Sequence, residues 1–328
     1  MRDWLQEWLR SLPGQIRPTT IESYRSHVQQ YLSPGIGRIR LHDLTTGHIQ
    51  RMFDALTVKV NRYDEPLTPA TLQRVRATIR RALNVAVREQ LIGSNPALGL
   101  RLPSVRRVRP VVWSRTRVAA WQQTGWRPKV AVWTPAQLGV FLRQHADDSL
   151  YGLWWLAAVT GLRRGELAGL RWTDVDLEGG ELAVSNQRVC IGGQVADGDP
   201  KTDAACRTIA LDELTVAVLR VHATGGWSST GAGGYVYCWP DGRPLRPDWV
   251  THRFAELVAV AGVPPIRLHD LRHGSATMAR AAGVDLQVIQ RRLGHTSYAF
   301  TADTYGAILS EQERAGADAT VAVMQAAM

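Results

Sequence analysis

The sequence predicts two domains, an all-helical bundle followed by a mixed α/β, mainly helical domain. Three observations carry this. The chain has 328 residues, and a compact domain takes about 100–200. Its first hundred residues hold helix starts and apolar residues at three- and four-residue steps. Beyond residue 133, helical segments flank strand-like stretches and a connection rich in glycine and aspartate. A hydrophobic fraction of 45% with 21% charged residues fits a folded chain and argues against a disordered one.

In the first domain, residues 1–104, Thr19-Thr20-Ile21-Glu22 reads as a capping box at a helix start, and Pro34-Gly35 with Gly37 as a break. Thr68-Pro69 sets an N-cap before a proline at the first helical position. The helix it opens carries Leu72, Val75, Ile79, Leu83 and Ala86 on one face, and Asn95-Pro96 closes the segment. Arg74, Arg81 and Arg88 fall on one stripe by their seven-residue spacing, with Arg76 and Arg80 nearby. The bundle thus has a basic side, either a binding surface or an ordinary solvated face.

Residues 105–132 form a basic linker or insertion rich in Arg and Trp (Trp113, Trp121, Trp126). Within it Val111-Val112-Trp113 and the later Val130-Ala131-Val132-Trp133 read as short strands that pair. Thr134-Pro135-Ala136-Gln137, a capping box with proline at its first position, opens the helices of the second domain, residues 133–328. Leu150 to Thr160 is an apolar helix ended by Gly161, the residue type suited to a left-handed turn. Glu181 to Ile191 and Arg207 to Leu211 are strand-like, joined through Gly192, Gly193, Asp197, Gly198 and Asp199, with Pro200 and Lys201 at the exit. Helices are expected over 211–223, 249–261, 268–282, 286–293 and 301–309, with a loop over 225–234 and one more helix in the Ala-rich stretch 315–328.

Charge narrows the classes of function. The net charge is +10 and the pI near 10.1. Residues 1–104 carry +7, residues 105–132 another +7 without a single acid, and the remainder −4. That asymmetry suggests a polyanionic partner, against the plainer reading of a solubilising surface. The longest strongly apolar run, Leu153 to Val159, is far below the ~20 residues of a membrane span. No signal-peptide core opens the chain. Cys190, Cys206 and Cys238 form neither a disulfide framework nor a zinc cluster. A soluble protein of a reducing cytosol is expected. Only Lys59, Lys129 and Lys201 are lysines among 39 basic residues. A lysine retained in such a chain is suited to giving up a proton, which arginine does not do.

Four separated segments carry chemistry. They are T-G-L-R-R-G-E-L (Thr160 to Leu167), P-K-T (Pro200 to Thr202), H-D-L-R-H (His269 to His273), and L-G-H-T-S (Leu293 to Ser297) followed by Tyr305 in D-T-Y-G. Phosphoryl transfer builds negative charge on non-bridging oxygens, and fixed cations stabilise it. Arg163 follows a glycine turn. Arg272 shares a helical face with His269, with His273 beside them. Guanidinium groups suit two-point phosphate contacts. His269 and His273 lack the glutamate of a zinc-protease helix, Asp270 standing in its place, and no G-x-x-x-x-G-K-[ST] cradle is present. No metal and no cofactor are therefore expected.

In this order and at these separations the four segments resemble the tyrosine recombinase (phage integrase-like) family. The resemblance covers the second domain strongly and the first more weakly. It implies a helical core-DNA-binding domain and a tyrosine-recombinase catalytic domain with a small antiparallel sheet. It also implies Tyr305 as the nucleophile forming a 3′-phosphotyrosyl link, with no need of metal or ATP. Tyr298, Tyr235 and Tyr237 are less well placed for that part. Lys201 is implied as the general acid for the leaving 5′-oxygen, and Arg163 and Arg272 as phosphate ligands. His269 is assigned to proton movement or a phosphate contact, and His295 to a non-bridging oxygen. Glu166 would brace an arginine or the histidine helix, Asp270 would cap its helix or orient a neighbour, and His273 would act directly or structurally.

DNA contacts are expected from Arg74, Arg76, Arg80, Arg81, Arg88, Arg106 and Arg107. The implied partners are double-stranded DNA, a homotetramer on paired recombination sites through C-terminal helix exchange, and an accessory DNA-bending or directionality factor, in a bacterial cytoplasm. The separate arm-site-binding domain of many phage integrases is expected to be absent or truncated. Two rivals stand beside this reading, a type IB topoisomerase acting alone and a non-catalytic DNA-binding regulator.

Overall fold

The computed structural model describes residues 1–59, 66–105, 108–199, 205–229, 234–305 and 321, except for the side chains of Phe300, Asp303 and Tyr305. Two compact units divide the chain, Met1–Arg107 and Val108–Met328.

The described part of the first unit is built of helices: α1 (Arg2–Ser11), α2 (Pro18–His27), a π-helical turn over Val28–Leu32, α3 (Ser33–Ile36), α4 (Thr46–Thr57) and α5 (Pro69–Arg88). Thr68 caps α5, accepting from the Thr71 amide, and Leu72, Val75, Ile79, Leu83 and Ala86 are buried as their spacing requires. Two expectations are corrected. The second helix starts at Pro18, with Arg17 at its N-cap and no capping side chain. A proline whose φ already suits a first helical turn takes precedence over the Thr19 box. Pro34 and Gly35 do not break the chain, which stays helical from Pro18 through Ile36. Pro34 sits in the first turn of α3, where its missing amide is tolerated. Gly35 serves close packing, since a Cβ there would stand 2.3 Å from the Met52 side chain of α4.

The second unit runs β1 (Val111–Val112), α6 (Arg115–Thr124), β2 (Ala131–Val132), α7 (Pro135–Gln144), α8 (Tyr151–Thr160), α9 (Arg164–Gly169), β3 (Val175–Asp176), β4 (Glu181–Val184), β5 (Gln187–Ile191), β6 (Gln194–Gly198), β7 (Arg207–Ala210), α10 (Glu213–Ala223), α11 (Pro247–Val260), α12 (Leu268–Ala281), α13 (Leu286–Leu293) and α14 (Tyr298–Tyr305). Antiparallel sheets are formed by β3-β4-β7 and by β5-β6. The strand-like run 181–191 is thus two strands in two sheets. The glycine-rich connection supplies β6, which pairs with β5 across a two-residue turn at Gly192-Gly193, where both φ angles are positive.

From Val108 onward, the segment expected as a linker or insertion belongs to the second unit. β1 and β2 pair in parallel, Val111 with Ala131 and Val112 with Val132. A parallel pair needs a crossover, which α6 provides; this helix shows no strong apolar face and buries none of its residues, so periodicity does not reveal it. Trp113 and Trp133 follow the paired strands and are both buried. Their indoles donate to Pro265 O (3.2 Å) and Pro264 O (2.7 Å). The two tryptophans therefore hold the segment that leads into α12. Trp133, Phe141, Trp154 and Phe254 form the aromatic centre of the core, with ring centroids 5.1 to 6.0 Å apart. Among the described residues no helix is long and apolar enough to cross a membrane.

Trp113→Ala removes a fully buried indole and its hydrogen bond, and is expected to destabilise the second unit by about 3–5 kcal/mol. Denaturant unfolding measures this. A loss below about 1 kcal/mol, as for a surface position, would return the segment to the status of a linker.

Candidate active site

The candidate site is built at the C-terminus of α13. The last carbonyls of a helix have no intrahelical partners and carry partial negative charge. Gly294 caps this helix in the left-handed region at φ 63°, and the three carbonyls over 292–294 each accept from a different arginine. Arg207, at the start of β7, donates through Nε to Arg292 O at 2.5 Å. Arg272, on α12, donates through Nη2 to Leu293 O. Arg163, the N-cap of α9, donates through Nη2 to Gly294 O at 3.0 Å. Arg272 also donates to Gly161 O at 2.7 Å. Gly161 ends α8 at φ 68° and lies close enough that a Cβ would meet Leu293 at 2.9 Å.

One carboxylate balances part of this charge. Glu166, 3% exposed, accepts from Arg163 Nη1 at 2.7 Å and from Arg207 Nη1 and Nη2 at 3.1 and 2.9 Å. It also accepts from the Arg163 amide at 2.8 Å, so the same side chain caps α9. Burial alone would raise its pKa. Hydrogen bonding and charge from Arg207, then from Arg163, overcome that and hold it at about 2. Two guanidiniums share this one carboxylate and Arg272 adds a third positive charge at the helix end, which leaves the three arginines and Glu166 with a net positive charge.

The histidines lie in that field. Burial, then the charges of Arg272 and Arg163, push His295 down to about 3. His269 is lowered by desolvation and then by Arg272, and His273 by burial and then by His269, to about 4. All three are neutral at pH 7. The His269 and His273 rings meet edge-to-face at 5.3 Å. His295 Nδ1 lies 3.0 Å from the hydroxyl of Thr301, which is fully buried. Asp270 caps α12, accepting from the Arg267 amide at 3.0 Å and pairing with its guanidinium at 2.6 Å. Among the described residues no group of three or more His, Cys, Asp and Glu is placed to hold a metal ion.

Of the residues expected from the sequence, Arg163, Glu166, His269, Arg272, His273 and His295 are brought into one neighbourhood. Tyr305 ends α14 four residues after Thr301, hence on the same helical face, but its side chain is outside what the structure describes. Lys201, Arg106 and Arg107 lie outside the described residues, as does the Ala-rich stretch 315–328 apart from Val321. Arg207 is not singled out by the sequence. Its only signal is its position on the strand after Pro-Lys-Thr, and in so arginine-rich a chain one more arginine has no contrast.

In the first unit Arg74, Arg81 and Arg88 of α5 are exposed, while Arg76 and Arg80 are half-buried. Among the described residues none of the five makes an ion pair. Arg80, Arg81 and Arg88 line a groove of about 550 Å³ between α1 and α5, and Arg81 stands 6.0 Å over the Tyr24 ring.

Because the Glu166 pKa is depressed from 4.5 to about 2, its stabilising contribution is complete above about pH 4.5 and is lost as the pH falls toward 2. The contribution is about 3 kcal/mol. Urea unfolding of the native chain and of Glu166→Gln at pH 6 and pH 2 should show their difference shrinking by about that amount. A constant difference across this range would contradict the buried ionised carboxylate.

Comparisons with known proteins give the family and the fold. The sequence pattern described as the Phage integrase family matches residues 142–312, and that of the Phage integrase N-terminal SAM-like domain matches residues 1–57. A Tyrosine recombinase XerC-like protein of Caldanaerobacter subterraneus subsp. tengcongensis is 23% identical over 95% of this chain and 79% of its own. A putative prophage phiRv2 integrase of Mycobacterium tuberculosis is 26% identical over 98% and 76%. The fold resembles that of the Tn1549 transposon integrase, solved with a circular intermediate DNA (TM-score 0.72, 19% identity, 96% of this chain and 98% of that one). It also resembles lambda integrase bound to a COC′ core site (TM-score 0.64, 20% identity, 93% and 77%). The integrase pattern spans more than half of the chain and takes in the arginines, histidines and carboxylate of the cluster, so the chain belongs to the phage integrase family: it is a tyrosine recombinase, an enzyme of site-specific DNA recombination.

Proposed function

We propose that this recombinase cuts and rejoins duplex DNA through a covalent 3′-phosphotyrosyl intermediate on Tyr305, to integrate and excise a mobile element. The observation that carries the reading is the meeting of Arg163 and Arg272, from elements more than a hundred residues apart, on the consecutive carbonyls of Gly294 and Leu293 beside His295. A scissile phosphate placed against these guanidiniums has its non-bridging oxygens stabilised as charge develops. His295, held through Nδ1 against the Thr301 hydroxyl, turns its other ring nitrogen, Nε2, to one of those oxygens. His269 assists proton movement or contacts the phosphate, and Glu166 and His273 support the cluster.

The phenol of Tyr305, ordinarily near pKa ~10, attacks as the phenolate favoured by the surrounding positive charge. The Tyr305 oxygen–phosphorus bond forms, the bond to the 5′-oxygen breaks, and Lys201 supplies the proton that oxygen takes up. Energy stays in the phosphotyrosyl ester, so rejoining is the reverse attack by the 5′-hydroxyl and uses neither ATP nor metal. The relatives from a prophage and a transposon support the mobile-element role. A lambda integrase tetramer bound to a Holliday junction supports a homotetramer on paired sites, where an accessory bending or directionality factor would act.

DNA affinity is assigned largely to phosphate contacts, with Arg74, Arg76, Arg80, Arg81 and Arg88 supplying part of it and Arg106 and Arg107 adding to it. Replacing Arg74, Arg81 and Arg88 with Gln should flatten the slope of log affinity against log salt by about 0.9 for each phosphate no longer neutralised. A slope equal to that of the native chain makes the stripe a solvated face. For the chemistry, nicked suicide duplexes from the genomic junctions of the element should trap a covalent adduct. Tyr305→Phe should bind the same duplexes and trap none; persistence of the adduct in that variant would move the nucleophile elsewhere.

A further inference from the structure

We propose that Arg207 is a positioning residue for the strand-transfer reaction: it occupies Glu166 and ties β7 to the end of α13, so that Arg163 keeps its charge for the scissile phosphate. The proposal rests on the reading of Arg163 and Arg272 as phosphate ligands.

Burial separates the two arginines that share Glu166. The Arg163 side chain is 36% exposed and the Arg207 side chain 6%. Arg163 is therefore open to a ligand, and Arg207 is enclosed. Arg207 spends its donors inward, two on Glu166, one on Arg292 O, and Nη1 on Ala205 O as well at 2.9 Å. Both carboxylate oxygens thus have a two-point partner before Arg163 is counted. Without Arg207, Glu166 and Arg163 would close into a neutral pair, and a carboxylate that is itself buried would draw the exposed guanidinium inward. The same loss releases one of the three ties on the α13 terminus, from which His295 follows directly. Arg207 touches no reacting atom in this scheme and acts through Glu166 and the helix end.

The test uses the full chain and single-turnover cleavage of a suicide duplex at saturating protein. Arg207→Gln should cleave about 100-fold more slowly, with DNA affinity within about threefold of the native value. Glu166→Gln added to Arg207→Gln should recover about tenfold of that loss, because the uncompensated carboxylate is gone. On a duplex whose scissile phosphate is a methylphosphonate, lacking one negative charge, the Arg207→Gln defect should shrink to a few-fold. Arg163→Gln runs alongside and should show the same shrinkage.

An Arg207→Gln defect that is neither relieved by Glu166→Gln nor reduced on the neutral substrate would overturn the proposal in favour of a purely structural part. If the Arg163→Gln defect is also undiminished there, the phosphate reading fails first and takes the proposal with it. Should Arg207→Gln not fold, judged by near-UV circular dichroism, Arg207→Lys carries the same comparisons. It keeps the charge and loses the two-point grip, so it should be slower on phosphodiester and close to native on methylphosphonate. Equal slowing on both would count against the proposal.

Discussion

The site depends on one constraint, that the last carbonyls of a helix must find donors. At the end of α13 three guanidiniums from β7, α9 and α12 meet that need, one on each of three consecutive carbonyls. These contacts fix elements that sequence keeps far apart, and they gather cations whose mutual repulsion would otherwise disperse them. Glu166 makes the gathering tolerable. Its depressed pKa records how strongly the arginines hold it, and its burial beside Arg207 leaves Arg163 as the more exposed member.

The rest of the second unit serves this point. Trp113 and Trp133 grip consecutive prolines ahead of α12, which sets where His269 and Arg272 stand. The buried Thr301 connects α14, the helix that ends in Tyr305, to His295. A chain of contacts therefore runs from the β1–α6–β2 element through α12 and α13 to the helix that ends in Tyr305, the proposed nucleophile. Burial, and after it the cationic field along this chain, keeps the histidines neutral, suited to hydrogen bonding and proton exchange rather than to permanent charge.

Much of this is legible in the sequence where a local rule governs. Thr68-Pro69, Thr134-Pro135 and Gly161 mark helix ends because capping and left-handed turns depend on a few neighbouring residues. The cluster itself is legible because its members sit in short boxes in a recognisable order. What escapes is set by tertiary partners. Pro34 looks like a breaker until the π-helical turn before it is seen, α6 buries none of its residues fully, and β6 is a strand only because β5 lies opposite. Arg207 is an arginine among many until the carboxylate it holds is known.

The most direct measurement is a crystal structure of the protein on its core-site DNA with vanadate standing in for the reacting phosphorus. The Arg163 and Arg272 guanidiniums and His295 Nε2 should then lie within hydrogen-bond reach of the equatorial vanadate oxygens. The Tyr305 oxygen should stand in line with the vanadium, with Glu166 still held by Arg207. A vanadate bound away from the α13 terminus, with both arginines remaining on its carbonyls alone, would show that the cluster is not the place where DNA is cut.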